Sequence, residues 1–277
     1  MRFRQVDVFG STPLGGNPVA VVHGADGLSE EQMQRFARWT NLSETTFVLA
    51  PTSDEADYRL RIFTPSAELP FAGHPTLGSA HAWLEDGGRP RSPGRVVQEC
   101  GAGLVPLRRD AERPDRLAFA APPLLRSGPV SDDDRDAVLG PLGLSPDEVV
   151  DMEWVDNGPG WVGVLLRDAD AVLALEPDFS SLRHDVGVVG VRDGGDTACE
   201  VRGLCPMGSG ITEDPVTGSL NAGLAQWLSG RVLPTSYVAA QGTAIGRSGR
   251  VHVERDGDTI WVGGDARTVV RGEVSIA

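Results

Sequence analysis

The sequence contains no lysine; all 25 basic residues are arginine. That excludes a Schiff-base lysine, and with it ordinary pyridoxal-phosphate chemistry and lysine-dependent aldol cleavage. It also excludes a complete Walker A loop, whose lysine reaches the nucleotide phosphates. Cysteine is scarce: Cys100, Cys199 and Cys205 are odd in number and irregularly spaced. They read neither as a disulfide framework nor as a zinc site, and a reducing cytoplasm is the expected location. There is no H-x-x-x-H, no C-x-x-C and no aspartate-rich loop with ligand spacing, so no metal is expected. Positive charge is in deficit, with a formal net charge of -14. A surface of that sign argues against nucleic acid and anionic membranes as partners. It leaves an acidic substrate open, because a few backbone amides and one arginine set the field locally. No apolar run approaches membrane-spanning length, and Met1–Asp7 has no signal-peptide apolar core.

What the chain does have is a pattern that occurs twice. Glu68-Leu69-Pro70-Phe71-Ala72-Gly73-His74-Pro75-Thr76-Leu77-Gly78 reads E-x-P-x-x-G-x-x-x-x-G. Glu213-Asp214-Pro215-Val216-Thr217-Gly218-Ser219-Leu220-Asn221-Ala222-Gly223 reads the same, 145 residues later. Each copy runs into an apolar stretch ending in Trp-Leu (Trp83-Leu84, Trp227-Leu228). The repeat implies two similar halves, each with a Gly-rich turn opening a helix. A helix start offers free backbone N–H groups and a positive dipole end, which suits a carboxylate. Two such starts facing each other across a cleft would hold a small acid.

The rest of the pattern predicts many short strands and one long helix per half. Val6–Phe9, Val19–Val22, Thr45–Leu49 and Tyr58–Phe63 read as strands. A helix after Leu28 has Ser29 as N-cap and Gln32 completing a capping box, with Met33, Phe36, Ala37 and Trp39 on its buried side. The first motif opens a helix over His74–Leu84. Strands follow near Val96–Glu99, Leu104–Leu107 and Leu117–Ala120. Pro122-Pro123 and the acidic run Asp132–Asp134 mark a boundary, giving halves 1–122 and 123–277, with the last strand free to return to the first half. In the second half, Trp161–Leu166, Gly187–Val191, Ala198–Arg202, Val251–Glu254, Thr259–Val262 and Thr268–Val270 read as strands. The expected class is α+β, each half a mixed sheet or barrel wrapped round a central helix.

Three side chains stand out chemically. Glu44 lies among apolar and hydroxyl residues at a loop-to-strand junction; it is a solvated carboxylate or, if desolvated, a general acid/base. His74 follows the first motif glycine, where the helix dipole disfavours the imidazolium. Asp214 stands where the first motif has Leu69, either as a helix-start carboxylate or as a contact for a substrate amine or hydroxyl. Glu68 and Glu213 occur in both copies and read as scaffold. The amides near Gly73-His74 and Gly218-Ser219 are the candidate anion cradle.

These residues resemble the PhzF (phenazine biosynthesis) family of the diaminopimelate epimerase-like superfamily. The resemblance runs through Gly16–Val22, Asn41–Val48, Arg61–Pro65, Glu68–Pro75, Glu213–Ser219, Gln241-Gly242 and Gly246-Arg247. It implies a diaminopimelate epimerase-like fold of two pseudo-symmetric halves, a homodimer, and no cofactor. It also implies a glutamate that moves a proton within a cyclic unsaturated amino acid, trans-2,3-dihydro-3-hydroxyanthranilate. The family's glutamate maps to Glu44, its assisting histidine and aspartate to His74 and Asp214, and its substrate-contacting positions to Ser43, Gly73, Gly218 and Ser219. Related racemases place two cysteines at the two turns; here His74 and Ser219 follow the motif glycines. Arg202-Gly203-Leu204-Cys205-Pro206 departs from the family's more aromatic segment and, if it lines the cleft, alters specificity. The expectation is therefore a cytoplasmic isomerase of secondary metabolism acting on a small carboxylate-bearing substrate. The alternatives are a racemase or epimerase of the same superfamily, and a non-catalytic binder of small acids or of a protein.

Overall fold

A computed structural model describes residues 1–276 except 111, 114 and 208–211. The chain forms two compact units, Met1–Ala120 with Gly263–Ala277, and Ala121–Val262.

The first unit contains β1 (Arg2–Val8), β2 (Asn17–His23), α1 (Glu30–Thr40), β3 (Glu44–Leu49), β4 (Tyr58–Phe63), β5 (Glu68–Leu69), α2 (Gly73–Glu85), β6 (Arg95–Cys100), β7 (Gly103–Arg109) and β8 (Arg116–Ala120). The second contains β9 (Arg126–Pro129), α3 (Asp132–Leu142), β10 (Val149–Asp156), β11 (Val162–Leu166), α4 (Ala169–Leu173), β12 (Val186–Val191), β13 (Cys199–Leu204), β14 (Glu213–Asp214), α5 (Gly218–Leu228), β15 (Ser236–Gln241) and β16 (Gly249–Asp256). β17 (Thr259–Glu273) starts in the second unit and ends in the first.

In the first unit the pairing order is β1-β2-β3-β4-β6-β7-β8-β17, and β17 pairs back onto β1, so the sheet closes into a mixed barrel. Closure leaves no open edge along these strands. The β2–β3 and β4–β6 pairs are parallel, which requires crossovers, and α1 and α2 lie in those connections. The second unit repeats the sequence of pairings: β10–β11 antiparallel, β11–β12 parallel, β12–β13 antiparallel, β13–β15 parallel, β15–β16 antiparallel.

Both motif helices are cores rather than surface helices. In α2, His74 to Ala80 are all buried, and α2 packs against β1, β2, β3, β4, β6 and β8. In α5, Leu220 to Ala225 are buried in the same way. A helix that is apolar on every side belongs inside a protein. The second glycine of each motif has a packing reason. A Cβ at Gly78 would sit 2.4 Å from Val19 Cγ1, and one at Gly223 would sit 2.3 Å from the Val155 carbonyl oxygen. Each glycine lets the helix approach the strand beside it.

The predicted capping box is present: Ser29 Oγ accepts from the Gln32 amide at 3.3 Å, and Gln32 Oε1 accepts from the Ser29 amide at 2.8 Å. Met33 and Ala37 are buried as expected, but Trp39 is 79% exposed and stacks on Phe36 instead of entering the core. The two strands expected near the C terminus are one continuous strand, β17. The acidic run read as a boundary is the first turn of α3, where Ser131 caps the helix and three aspartates meet its positive end. β9, β10 and β15 carry no separate expectation from the sequence. Cys205 is half-buried.

Candidate active site

Glu44 is the first residue of β3, and its side chain is only 15% exposed. Its Oε2 lies 3.2 Å from Nε2 of His74, the second residue of α2. The His74 ring also donates to the Pro18 carbonyl at the start of β2. With Nε2 turned to Glu44, and a carbonyl being acceptor-only, the assignment that satisfies both contacts puts the proton on Nδ1 and leaves Nε2 as a lone pair. Burial pushes the His74 pKa down to about 3, only partly opposed by the Pro18 bond. His74 is therefore neutral at physiological pH, and the short Glu44–His74 approach is not an ion pair. It is a lone pair aimed at a carboxylate, ready to receive an O–H when that carboxylate is protonated. Ser43 precedes Glu44 in the bend leading into β3, and Gly73 opens α2.

The second unit presents its own cluster around the start of α5. Asp214, in β14, accepts from the Thr217 hydroxyl at 2.6 Å. Gln241 ties the turn together: its Oε1 accepts from the Thr217 amide and from Asn221 Nδ2, and its Nε2 donates to Thr217 Oγ1 and to the Asp214 carbonyl. The first unit uses the same device more simply, with buried Gln98 on β6 donating to Thr76 of α2 and accepting from Tyr58. Ser219 accepts from Trp161 Nε1 at its hydroxyl and from Asn157 Nδ2 at its carbonyl. Neither α2 nor α5 is capped by a side chain; Ala72 has no group to do so, and Thr217 turns its hydroxyl to Asp214. Their first turns thus keep the backbone N–H character that suits an anion.

Glu68 and Glu213 are scaffold, and the reason is an arginine that the spacing concealed. Phe63 pairs with Glu68 and Leu204 with Glu213, and in each case an arginine stands two residues earlier. Arg61 holds Glu68 through two contacts, and Arg202 holds Glu213 at 3.0 and 2.7 Å. Arg202-Gly203-Leu204-Cys205-Pro206 is thus the second copy of Arg61-Ile62-Phe63-Thr64-Pro65. Arg202 is buried and also caps α4 through the Val172 and Leu175 carbonyls, so its side chain supports the fold rather than a ligand.

The same pairings show one residue that sequence reasoning missed. Ile62 lies between Thr46 and Leu69, and Gly203 lies between Gly187 and Asp214. Counting back two residues on each strand puts Asp185 at the place of Glu44. Burial raises the Asp185 pKa, partly opposed by a bond from the Cys205 thiol. The signal that could have found it is the displaced Arg-x-[FL]-x-Pro repeat.

A family model for phenazine biosynthesis-like proteins, PhzC-PhzF, matches residues 6–273. The chain belongs to the PhzF family. It is similar to antisense-enhancing sequence 1 of Schizosaccharomyces pombe, at 39% identity over 98% of this chain and 97% of that one. It is equally similar, 39%, to trans-2,3-dihydro-3-hydroxyanthranilate isomerase of Pseudomonas aeruginosa, over 92% of this chain and 91% of the other. Among solved structures, a PhzF-family protein of Bacillus anthracis superposes with a TM-score of 0.83 over 100% of this chain and 99% of that one, at 24% identity, a likeness of fold. Among the described residues no helix is long and apolar enough to cross a membrane, and no His/Cys/Asp/Glu group suits a metal ion.

Proposed function

We propose that this PhzF-family chain is an isomerase that shifts a proton, and with it a C=C bond, within a small unsaturated cyclic amino acid of the trans-2,3-dihydro-3-hydroxyanthranilate kind. The observation that carries the reading is the 3.2 Å approach of Glu44 to a His74 held neutral. The name of the Pseudomonas relative supports the substrate class. Glu44 takes a proton from one carbon as base; the new O–H is received by the His74 lone pair; Glu44 then returns the proton to another carbon as acid. Nothing is oxidised or reduced, so the step calls on no cofactor. The resemblance assigns substrate contacts to Ser43 and Gly73 in the first unit and to Gly218 and Ser219 in the second, and the amides at each helix start suit a carboxylate or the charge that develops with proton removal. Asp214, whose carboxylate accepts from Thr217, takes by the same resemblance the role of contacting the amine or hydroxyl. A two-thiol racemase is disfavoured, because His74 and Ser219 occupy the turns where thiols would act. A homodimer, measurable by light scattering, is part of the same reading.

The test is steady-state turnover of trans-2,3-dihydro-3-hydroxyanthranilate by the wild type and by Glu44→Gln. The expected loss in kcat is on the order of 10²-fold to 10⁴-fold, with KM little changed. Wild-type-like turnover in the variant would refute the role of Glu44.

A further inference from the structure

In both units the residue after the motif glycine is held by the start of a neighbouring strand, but with opposite polarity. In the first, the acceptor-only Pro18 carbonyl meets His74. In the second, Trp161, immediately before β11, places its indole Nε1 3.1 Å from Ser219 Oγ. An indole N–H is donor-only, so Ser219 must accept there. Its own proton is thereby directed elsewhere. The rest of the contact is built to hold this geometry. Trp161 is 3% exposed, and Asn157 Nδ2 grips the Ser219 carbonyl at 2.8 Å. Asp156 Oδ1 collects the amides of Gly158 and Gly160 at 2.7 and 2.8 Å, ordering the turn that carries both side chains. The two glycines adopt φ of 145° and 91°, backbone that other residues rarely reach.

We propose that Trp161 is a positioning residue whose indole N–H pre-orients the Ser219 hydroxyl as a hydrogen-bond donor toward a ligand carboxylate. The inference rests on the functional reading above and deepens it. The pseudo-symmetric logic is complete in each unit: Pro18 makes the group after Gly73 an acceptor toward Glu44, and Trp161 makes the group after Gly218 a donor toward the substrate anion. An acceptor-only carboxylate takes the proton of any serine it meets; a serine already accepting from an indole has that proton turned away from the ring before the ligand arrives, so less ordering is left to the binding step.

The test uses the full chain and has two independent arms. In ¹H–¹⁵N spectra the Trp161 indole resonance, assigned with Trp161→Phe, is expected to shift in Ser219→Ala and return toward its original position in Ser219→Thr. Calorimetric titration with 3-hydroxyanthranilate, a stable aromatic carboxylate of the same ring class, is expected to weaken roughly tenfold in Trp161→Phe and in Ser219→Ala. The double variant should bind no worse than the weaker single one, because both remove one unit. An unmoved indole resonance, a Trp161→Phe affinity equal to wild type, or losses that multiply would each overturn the inference. Should Trp161→Phe fail to fold, Ser219→Ala against Ser219→Thr carries both arms. Failure of the wild type to bind the probe overturns the carboxylate assignment; absence of turnover of trans-2,3-dihydro-3-hydroxyanthranilate counts separately against the functional reading. The indole resonance decides the Trp161–Ser219 bond in either case.

Discussion

Replacing His74 by Asn separates a neutral histidine from an ion-paired one by the sign of a pH effect. Asn keeps a side-chain N–H near the Nδ1 position to donate to Pro18, but cannot titrate. Burial lowers the His74 pKa from 6.5 to about 3. The unfolded chain therefore binds a proton that the folded chain refuses, and stability contributed by the neutral imidazole is present above pH 6.5 and lost as pH falls toward 3. Between pH 7 and pH 5 the wild type should lose about 2 kcal/mol that His74→Asn keeps. Urea unfolding of both proteins at pH 7, 6 and 5 reads this directly, since the difference cancels the other titrating groups. If His74 were instead cationic and paired with Glu44, its folded pKa would be raised, and the wild type would gain on the variant over the same range. Parallel or oppositely diverging curves would refute the neutral lone pair on which the proton-holding role of His74 depends.

Three further outcomes follow from packing and charge. Gly223→Ala should destabilise the protein by roughly 1–3 kcal/mol and more than Gly78→Ala. The first forces a methyl against a backbone carbonyl, whereas the second meets valine methyls, side-chain rather than backbone atoms; equal melting temperatures would contradict this. Arg202→Met strands the buried Glu213 carboxylate and should cost about 3–5 kcal/mol, while Arg61→Met, whose guanidinium is 21% exposed, should cost about 0–1 kcal/mol; denaturant titration compares the pair. His23, 3.5 Å from Asp86, is pushed down to about 4 chiefly by burial, against Asp86. Its contribution too is present above pH 6.5 and lost as pH falls through 4, so His23→Asn should flatten the acid limb, and an unchanged limb would count against its burial as a neutral ring.

The duplicated motif made the two buried helices legible because it is a local signal: a turn glycine, an apolar run and a shared Trp-Leu ending. The Ser29 capping box was legible for the same reason. What lay beyond the sequence depends on distance or on a broken register. Glu68 and Glu213 are 145 positions apart, but their arginine partners Arg61 and Arg202 are 141 apart, because the second Pro-to-Glu loop is longer. A search at one fixed offset therefore paired the carboxylates and missed the arginines, and with them Asp185 as the counterpart of Glu44. The bond from His74 to Pro18 joins segments far apart in the chain, and only the β2–α2 packing brings them together. Trp39 illustrates the opposite failure: the helical period placed it near the core side, and the structure leaves it on the surface stacked on Phe36.

The most direct measurement is ¹H NMR of trans-2,3-dihydro-3-hydroxyanthranilate in D₂O with wild-type protein and with Glu44→Gln. Loss of one carbon-bound proton signal and appearance of an isomer, with wild type alone, is the outcome the account predicts. Isomerisation that proceeds equally in Glu44→Gln, or none with either protein, would contradict it.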